Sequence, residues 1–336
     1  MVATPPRIMR PVENAELLGQ HLLVCPACRG SLVLGDDRFT CQGCERTYPI
    51  DEGIPIFVDR DVFDHDELDH LIGHSDHAGD PGWDRHKAGQ AAYFDRGAMA
   101  EFEIERPTGT APFYRFLLLE KFRRAIRPLG RRLDGWTALT VCGGSGMDAE
   151  FLARAGASVI SSDISLGAAK RTRERGRRHG LAIASIVADV EHLPFPDRSI
   201  DLVYVHDGLH HLEDPGIGLS EMARVARRGI SITEPARATL TGIAARFGFA
   251  LLREESGNLV ARLDARSVAS QIERAGFSVI RSQRYAMYYR HQPGRIFALL
   301  SRPSVLVIAK RAWRAANVIL GPVGNKLAVV AERRDR

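Results

Sequence analysis

Leu139-Thr-Val-Cys-Gly-Gly-Ser-Gly-Met-Asp148 decides how this chain is read. An apolar run from Ala138 to Cys142 ends in glycines at 143, 144 and 146, and a helical pattern starts at Asp148. Glycine lets the backbone turn sharply and come close to a ligand, and a helix that starts there presents unpaired N–H groups. A strand, a glycine turn and a helix in that order open a nucleotide-binding βαβ unit.

The same alternation continues downstream. Apolar spacing predicts further strands over Ser158–Ser162, Ile183–Val187, Ile200–Val205, Gly229–Thr233, Phe277–Arg281 and Leu327–Ala331. Helices are predicted over Asp148–Ala155, Leu166–His179 and Ile217–Ala226, with one upstream from Phe113 to Arg127 that Pro128 stops. Seven strands with interleaved helices imply the α/β class, a doubly wound Rossmann-like sheet. Asp163 ends the second strand, 17 residues after Gly146, where a carboxylate can accept both hydroxyls of a ribose. Asp189 follows the third strand in Val187-Ala-Asp-Val-Glu-His-Leu-Pro-Phe-Pro-Asp197. The fourth strand and its loop read Asp201-Leu-Val-Tyr-Val-His-Asp-Gly-Leu-His-His-Leu-Glu-Asp-Pro215.

This ordered series resembles the class I S-adenosylmethionine-dependent methyltransferases, in particular the broad group that includes ubiquinone and small-molecule methyltransferases (methyltransferase type 11-like). The resemblance covers about 110 residues: glycine-rich turn, acidic residue, "D…LPF-D", then "FD-V-…-HHL-DP". It implies that Cys142, Gly143, Gly144 and Gly146 form the turn beside the methionine part of the cofactor. It implies that Asp163, with Ile164, holds the ribose, and that Asp189 with Val190 meets the adenine. Two positions depart from the family pattern: Thr140 stands where an acidic residue is usual, and Cys142, which should crowd the turn, stands where glycine is usual.

Ligands of open α/β sheets lie beyond the carboxyl ends of the strands. His206, Asp207, His210 and His211 follow the fourth strand there, and Glu234 follows the fifth. An imidazole titrates near neutrality and can take a proton from a hydroxyl as it attacks a methyl carbon. His206, His210 and His211 are therefore the candidate catalytic residues, with His206 also beside the cofactor. Proximity and alignment without a base remain an open alternative, as does a purely structural role for the histidines. Strand four lacks the Asn/Asp-Pro-Pro-Tyr/Phe motif of many amino-methylating enzymes, which favours an oxygen, or less often a carbon, acceptor.

The N-terminal texture is different. Cys25-Pro-Ala-Cys28 and Cys41-Gln-Gly-Cys44 are two C-x-x-C knuckles separated by 12 residues. Two such knuckles close a four-thiolate shell around Zn²⁺ at about 2.3 Å, and with no open position the ion is structural. With Tyr48-Pro49-Ile50 and Gly53-Ile54-Pro55, this region is similar to the zinc-ribbon activator subunits of tRNA and release-factor methyltransferases. That resemblance implies a stabilising or substrate-side module fused to the enzyme it would otherwise bind.

The expected organisation is a zinc ribbon over 1–58, a linker or mobile cover over 59–90, and a methyltransferase domain over 91–336 with an insertion at about 285–322. The 59–90 stretch carries His65, His70, His74, His77 and His86 at irregular spacing, which reads as solvated rather than as a second metal site. The basic run Lys170-Arg-Thr-Arg-Glu-Arg-Gly-Arg-Arg-His179 reads as a solvated helix face. The chain of 336 residues has a net charge of +5, with arginine spread along most of its length. No apolar h-region opens it and no uncharged run is long enough to span a bilayer, so a cytoplasmic protein is expected. The reading is an S-adenosylmethionine-dependent methyltransferase acting on a hydroxyl or carboxylate of a small-molecule or glycan-type acceptor, with a homodimer or peripheral membrane contact open. An RNA methyltransferase and a non-catalytic zinc-ribbon scaffold stand as alternatives.

Overall fold

The computed structural model describes residues 18, 23–58, 85–97, 99–130, 133–237, 263–287 and 293–334. Four short strands form an antiparallel N-terminal sheet: β1 (Leu32–Leu34), β2 (Arg38–Cys41), β3 (Thr47–Asp51) and β4 (Ile54–Pro55). Seven strands form the main sheet: β5 (Thr137–Val141), β6 (Ser158–Asp163), β7 (Ile183–Val187), β8 (Ile200–His206), β9 (Ala226–Pro235), β10 (Phe277–Tyr285) and β11 (Lys326–Arg333). Their spatial order is β10-β11-β9-β8-β5-β6-β7. Strands β5 to β9 are parallel, and β11 alone runs antiparallel between β9 and β10. The fully buried patterns of β7 and of β8 up to Val205 are what a sheet covered on both faces requires.

Nine helices are described: α1 (Arg85–Asp95), α2 (Ala100–Glu105), α3 (Pro112–Ile126), α4 (Met147–Arg154), α5 (Leu166–His179), α6 (Pro215–Val225), α7 (Ala265–Arg274), α8 (Arg295–Leu300) and α9 (Pro303–Leu320). Local chemistry sets several of these ends. Ser165 caps α5 by accepting from the N–H of Ala168, and Gly180 closes it in the left-handed conformation. Asp214 and Asp264 cap α6 and α7 in the same way as Ser165.

The two sheets share a core. Phe39, Tyr48 and Phe57 of the N-terminal module pack in one buried cluster with Ile186, Leu193, Phe195 and Ile200. Residue 57 continues the main sheet, its N–H donating to the Val187 carbonyl at 2.8 Å. The chain after β4 thus covers edge strand β7, whose unpaired backbone groups would otherwise face water. Around this seam Arg29 pairs with Glu221 at 3.0 Å, Lys170 with Asp51 at 2.8 Å and Arg173 with Glu52 at 2.6 Å.

Helix α1 begins at 85 and passes through the expected boundary at residue 90. His65, His70, His74 and His77 lie outside the described residues. Strand β10 runs to Tyr285, four residues past the expected end, because β11 pairs with it along its length across an irregularity between Val279 and Arg281. Among the described residues, the expected insertion holds α8, α9 and a 3-10 turn, Gly321–Val323.

Candidate active site

The strand order reverses between β5 and β8, so the crevice at the carboxyl ends of these two strands is the ligand position of the fold. The glycine turn occupies it. Gly144 has φ +53°, and a side-chain carbon placed there would meet nothing within 4 Å, so this backbone faces open space. Gly146 has φ +76°, and a Cβ there would lie 2.8 Å from the Thr172 side chain. Only glycine fits at 146.

The two departures from the family pattern are accommodated differently. Cys142 takes φ +51°, an uncommon left-handed position for a side-chain-bearing residue. Its Cβ points at Gly208, where an added Cβ would sit only 2.4 Å away, so the glycine at 208 makes room for the thiol. The turn keeps its open face at Gly144 and is not obstructed by Cys142. Burial, with Asp163 and Glu234 near, pushes the Cys142 thiol well above its ordinary pKa, so it is a neutral thiol. Thr140 is buried and donates to Ser161 Oγ at 2.9 Å, placing a neutral hydroxyl pair where a carboxylate was expected.

Asp163 ends β6 directly opposite the turn. Its Oδ2 accepts the Gly144 N–H at 2.8 Å and its Oδ1 accepts the Ser165 N–H at 2.9 Å. Each oxygen retains a second lone pair. Burial raises its pKa against those two N–H donors. Asp189 lies beyond β7, where burial would raise it but His192 and Lys87 hold it below the ordinary carboxylate range. Lys87 Nζ on α1 reaches Asp189 at 2.7 Å and Glu191 at 2.6 Å. Val190 is buried in the main cluster, while Ile164 lies between Asp163 and the Ser165 cap.

Helix α1 lies across these strand ends. His86 Nε2 is 2.6 Å from the His211 carbonyl oxygen, and Phe94 meets the His211 ring edge-on at 5.6 Å. Asp95 Oδ1 accepts the Gly167 N–H at 2.7 Å, and Arg171 donates to the Phe94 carbonyl at 2.6 Å. One surface helix thereby touches the loops after β6, β7 and β8.

The three candidate histidines occupy three different environments. His210 is buried, with Nδ1 2.8 Å from Glu234 Oε2, while Glu234 Oε1 accepts the N–H groups of Gly208 and Leu209 at 2.8 Å. Glu234 and His210 thus shape the loop after β8. His211 is partly exposed beneath α1. His206 ends β8 with Nδ1 2.6 Å from Asp148 Oδ2, and Tyr204 donates to the other oxygen of Asp148 at 3.1 Å. The His206 Nε2 is buried and makes no hydrogen bond among the described residues, although Asp207 Oδ2 stands 3.3 Å away. Asp207 Oδ2 is instead held by Lys326 at 2.8 Å and by Lys121. Burial lowers the His206 pKa, but Asp148 and Asp207 outweigh it and the net shift is upward.

Asp148 and Lys87 carry geometry that the sequence did not assign. Asp148 stands in the first turn of α4, a position that also suits helix capping, and only folding places it against His206. Lys87 sits in a polar stretch without helical periodicity. Arg175 is a third such residue: fully buried, it donates to the Ser145 carbonyl at 2.7 Å and to Glu150 at 2.7 Å. It clamps the glycine turn to α4 and to the Glu103 and Arg106 carbonyls near α2. On the basic run of α5, Arg177 and Arg178 are exposed and Lys170 and Arg173 half-buried, and each pairs with an acidic side chain, whereas Arg175 turns inward.

In the N-terminal module Cys25, Cys28, Cys41 and Cys44 bring four sulfurs within 4.8 Å of one another. The Cys25–Cys44 and Cys28–Cys41 sulfurs are 3.7 and 3.4 Å apart. A tetrahedron of thiolates about 2.3 Å from Zn²⁺ has edges of roughly 3.8 Å, so the donor set fits that ion. The N–H groups of Gly30 and Gly43 point at Cys28 and Cys41 at 3.4 and 3.3 Å, supporting thiolate charge.

Residues 139–232 match the methyltransferase domain family and residues 21–53 match the Trm112p-like protein family. The chain thus carries one segment similar to methyltransferase domains and another similar to Trm112p-like proteins. The demethylmenaquinone methyltransferase of Corynebacterium urealyticum is 35% identical over 128 residues, covering 37% of this chain and 53% of that protein. The ubiquinone/menaquinone biosynthesis C-methyltransferase UbiE of Idiomarina loihiensis is 31% identical over 137 residues, covering 38% and 54%. The chain therefore spans about half the length of the curated relatives it matches. Magnesium protoporphyrin IX methyltransferase from Synechocystis PCC 6803, solved with bound S-adenosylhomocysteine (SAH), superposes with a TM-score of 0.50 at 16% identity. That match covers 74% of this chain and all of the other, and establishes the shared fold.

Proposed function

We propose that this chain is an S-adenosylmethionine-dependent methyltransferase that methylates an ionisable hydroxyl of a small molecule. The observation that carries the reading is the Asp148–His206 pair at the end of β8, beside the open face of the glycine turn. The site fits the cofactor: Gly144 leaves backbone uncovered, and Asp163 has lone pairs for a ribose. In this reading Gly143, Gly144 and Gly146 border the methionine portion with Cys142 behind them, Asp163 and Ile164 the ribose, and Asp189 and Val190 the adenine. Bound there, S-adenosylmethionine supplies an electrophilic methyl carbon.

The chain's own residues do the rest. His206 Nε2 takes the proton from the acceptor hydroxyl as the oxygen attacks. Asp148 fixes the tautomer by accepting from Nδ1 and stabilises the imidazolium that forms, while Tyr204 fixes Asp148. Asp207, neutralised by two lysines, adds a fixed field at the same ring. His210 with Glu234 holds the loop, and His211 under α1 lines the cover. The ribbon buttresses the adenine side, because Glu221 accepts the Leu193 N–H at 3.1 Å while pairing with Arg29.

One observation favours a second outcome of the same chemistry. A matched relative is named a C-methyltransferase, and a base that ionises a phenol or enol activates the ring carbon as well as the oxygen. An RNA acceptor is disfavoured because Arg173, Arg177 and Arg178 of α5 each already pair with an acidic side chain of the chain. The test is incubation with S-adenosylmethionine and a panel of phenolic and enolic acceptors, scored by released S-adenosylhomocysteine, with NMR of the product locating the methyl. O-methylated product lost in His206→Ala supports the reading, and C-methylated product moves it to carbon. Tight cofactor binding without turnover on any acceptor class would leave the scaffold alternative.

A further inference from the structure

Helix α9 packs one face and leaves the other bare. Leu306, Ala309 and Trp313 turn inward to the cluster of Phe116, Leu117 and Phe297. The opposite face carries Val307, Ile308, Ala312, Ala315, Val318 and Ile319, and it is covered by nothing among the described residues. Ile308, Val318 and Ile319 are 66%, 80% and 78% exposed, values a monomer rarely tolerates in one stripe. Ile296 and Leu299 of α8 and Val323 after α9 are exposed too.

The charge on this surface has one sign. From residue 286 to 331 the sequence contains no Asp or Glu, but it holds Arg295, Arg302, Lys310, Arg311 and Arg314. Arg311 lies within the bare stripe and makes no ion pair among the described residues, whereas Arg314 is partly engaged by Glu120 at 2.8 Å. The helix is not long and apolar enough to cross a bilayer. An apolar stripe carrying cations, on a helix that cannot span, has the design of an in-plane interfacial anchor.

We infer that α8 and α9 seat the protein on an anionic lipid surface. A second copy of the chain fits this face less well: pairing α9 with itself would set Arg311 near Arg311 with no acid from either stretch to compensate. An anionic membrane offers both acyl chains for the stripe and phosphates for the arginines, and long basic side chains reach outward to headgroups while their stems stay apolar. The position is also functional. The stretch after α9 leads into β11 at Lys326, one of the two lysines that reach Asp207 in the site. The anchored edge is therefore next to the acceptor side of the crevice. The surface assignment stands without the proposed reaction; only its link to the acceptor rests on that reading.

Flotation of the full chain with phosphatidylcholine vesicles, with and without phosphatidylglycerol, tests this. Binding is expected with the anionic vesicles and should fall roughly fivefold or more per charge for Arg311→Glu, since each basic group at such a surface contributes on the order of 1 kcal/mol. Ile308→Asp and Ile319→Asp should abolish it while circular dichroism and zinc content stay unchanged, because neither side chain touches the packed face. Failure of the unmodified chain to float with anionic vesicles overturns the inference. So does a dimer in sedimentation that Ile308→Asp dissociates. S-adenosylmethionine binding measured alongside separates this outcome from failure of the enzyme assignment.

Discussion

Asp148 Oδ2 stands 2.6 Å from His206 Nδ1, joining the first turn of α4 to the end of β8 across the crevice. The pair gives the imidazole a fixed orientation with Nε2 left over. Truncating His206 to alanine should lower turnover by about 10²–10⁴-fold, the usual worth of a positioned base, without weakening cofactor binding. Steady-state kinetics with calorimetry checks both halves.

The same pair sets a pH dependence. His206 is raised above its ordinary value of 6.5, and a base works only when neutral, so kcat should climb as pH rises through the raised value. Asp148→Asn removes the charge that raises it and should move this acidic limb to lower pH. The sign for stability is opposite. The charged imidazole stabilises the fold below the ordinary pKa, and that contribution fades as pH rises through the folded value. A pH–rate profile whose limb is unmoved in Asp148→Asn would contradict the assignment.

Stripping zinc should unsettle more than the ribbon. Phe39, Tyr48 and Phe57 share a core with Leu193 and Phe195 of the loop after Asp189, the carboxylate proposed to meet the adenine. Chelation, or Cys41→Ser, should lower the melting temperature and also weaken S-adenosylmethionine binding. Unchanged zinc content in Cys41→Ser, read by metal analysis, would exclude the four-cysteine site.

Arg175 carries a third consequence. It is a fully buried cation with Glu150 at 2.7 Å, and removing it leaves that buried carboxylate only the half-exposed Arg154 at 2.8 Å and leaves the Ser145 carbonyl without its donor. Arg175→Met should cost about 3–5 kcal/mol of stability, measured by denaturant unfolding. Arg178→Ala on the same helix loses only solvent-screened pairs with Glu101, Glu105 and Glu174 and should leave the unfolding midpoint nearly unchanged.

How far the sequence reached depends on where the determinants lie. Helix α5 and strand β7 appear with the bounds read from the chain, because Ser165 and Gly180 mark the helix ends locally and the Ile183–Val187 run is apolar throughout. The glycine turn was legible for the same reason: its conformation is written into the residues that form it. Helix α1 was not, since its residues are polar and its stability comes from tertiary bonds of Lys87, Phe94 and Asp95 to loops distant in sequence. The Asp148–His206 pair was half legible, the histidine by its place after the fourth strand and the aspartate not at all. Its role depends on how α4 sits above the sheet. The crowding expected from Cys142 was reversed by a glycine 66 residues away, at 208.

Lys87 gives a prediction of its own. It bonds Asp189, the carboxylate proposed to meet the adenine, so cofactor entry should compete with or reorganise this contact. Lys87→Met should change the association rate of S-adenosylmethionine in stopped flow more than it changes the melting temperature.

In the proposed function the crevice between β5 and β8 holds S-adenosylmethionine. Isothermal titration of the folded, zinc-loaded chain measures it most directly. Saturable binding at one site per chain is expected, markedly weakened in Asp163→Ala, which removes only the carboxylate at the proposed ribose position. No binding by the zinc-loaded protein, or the same dissociation constant in Asp163→Ala, would contradict it.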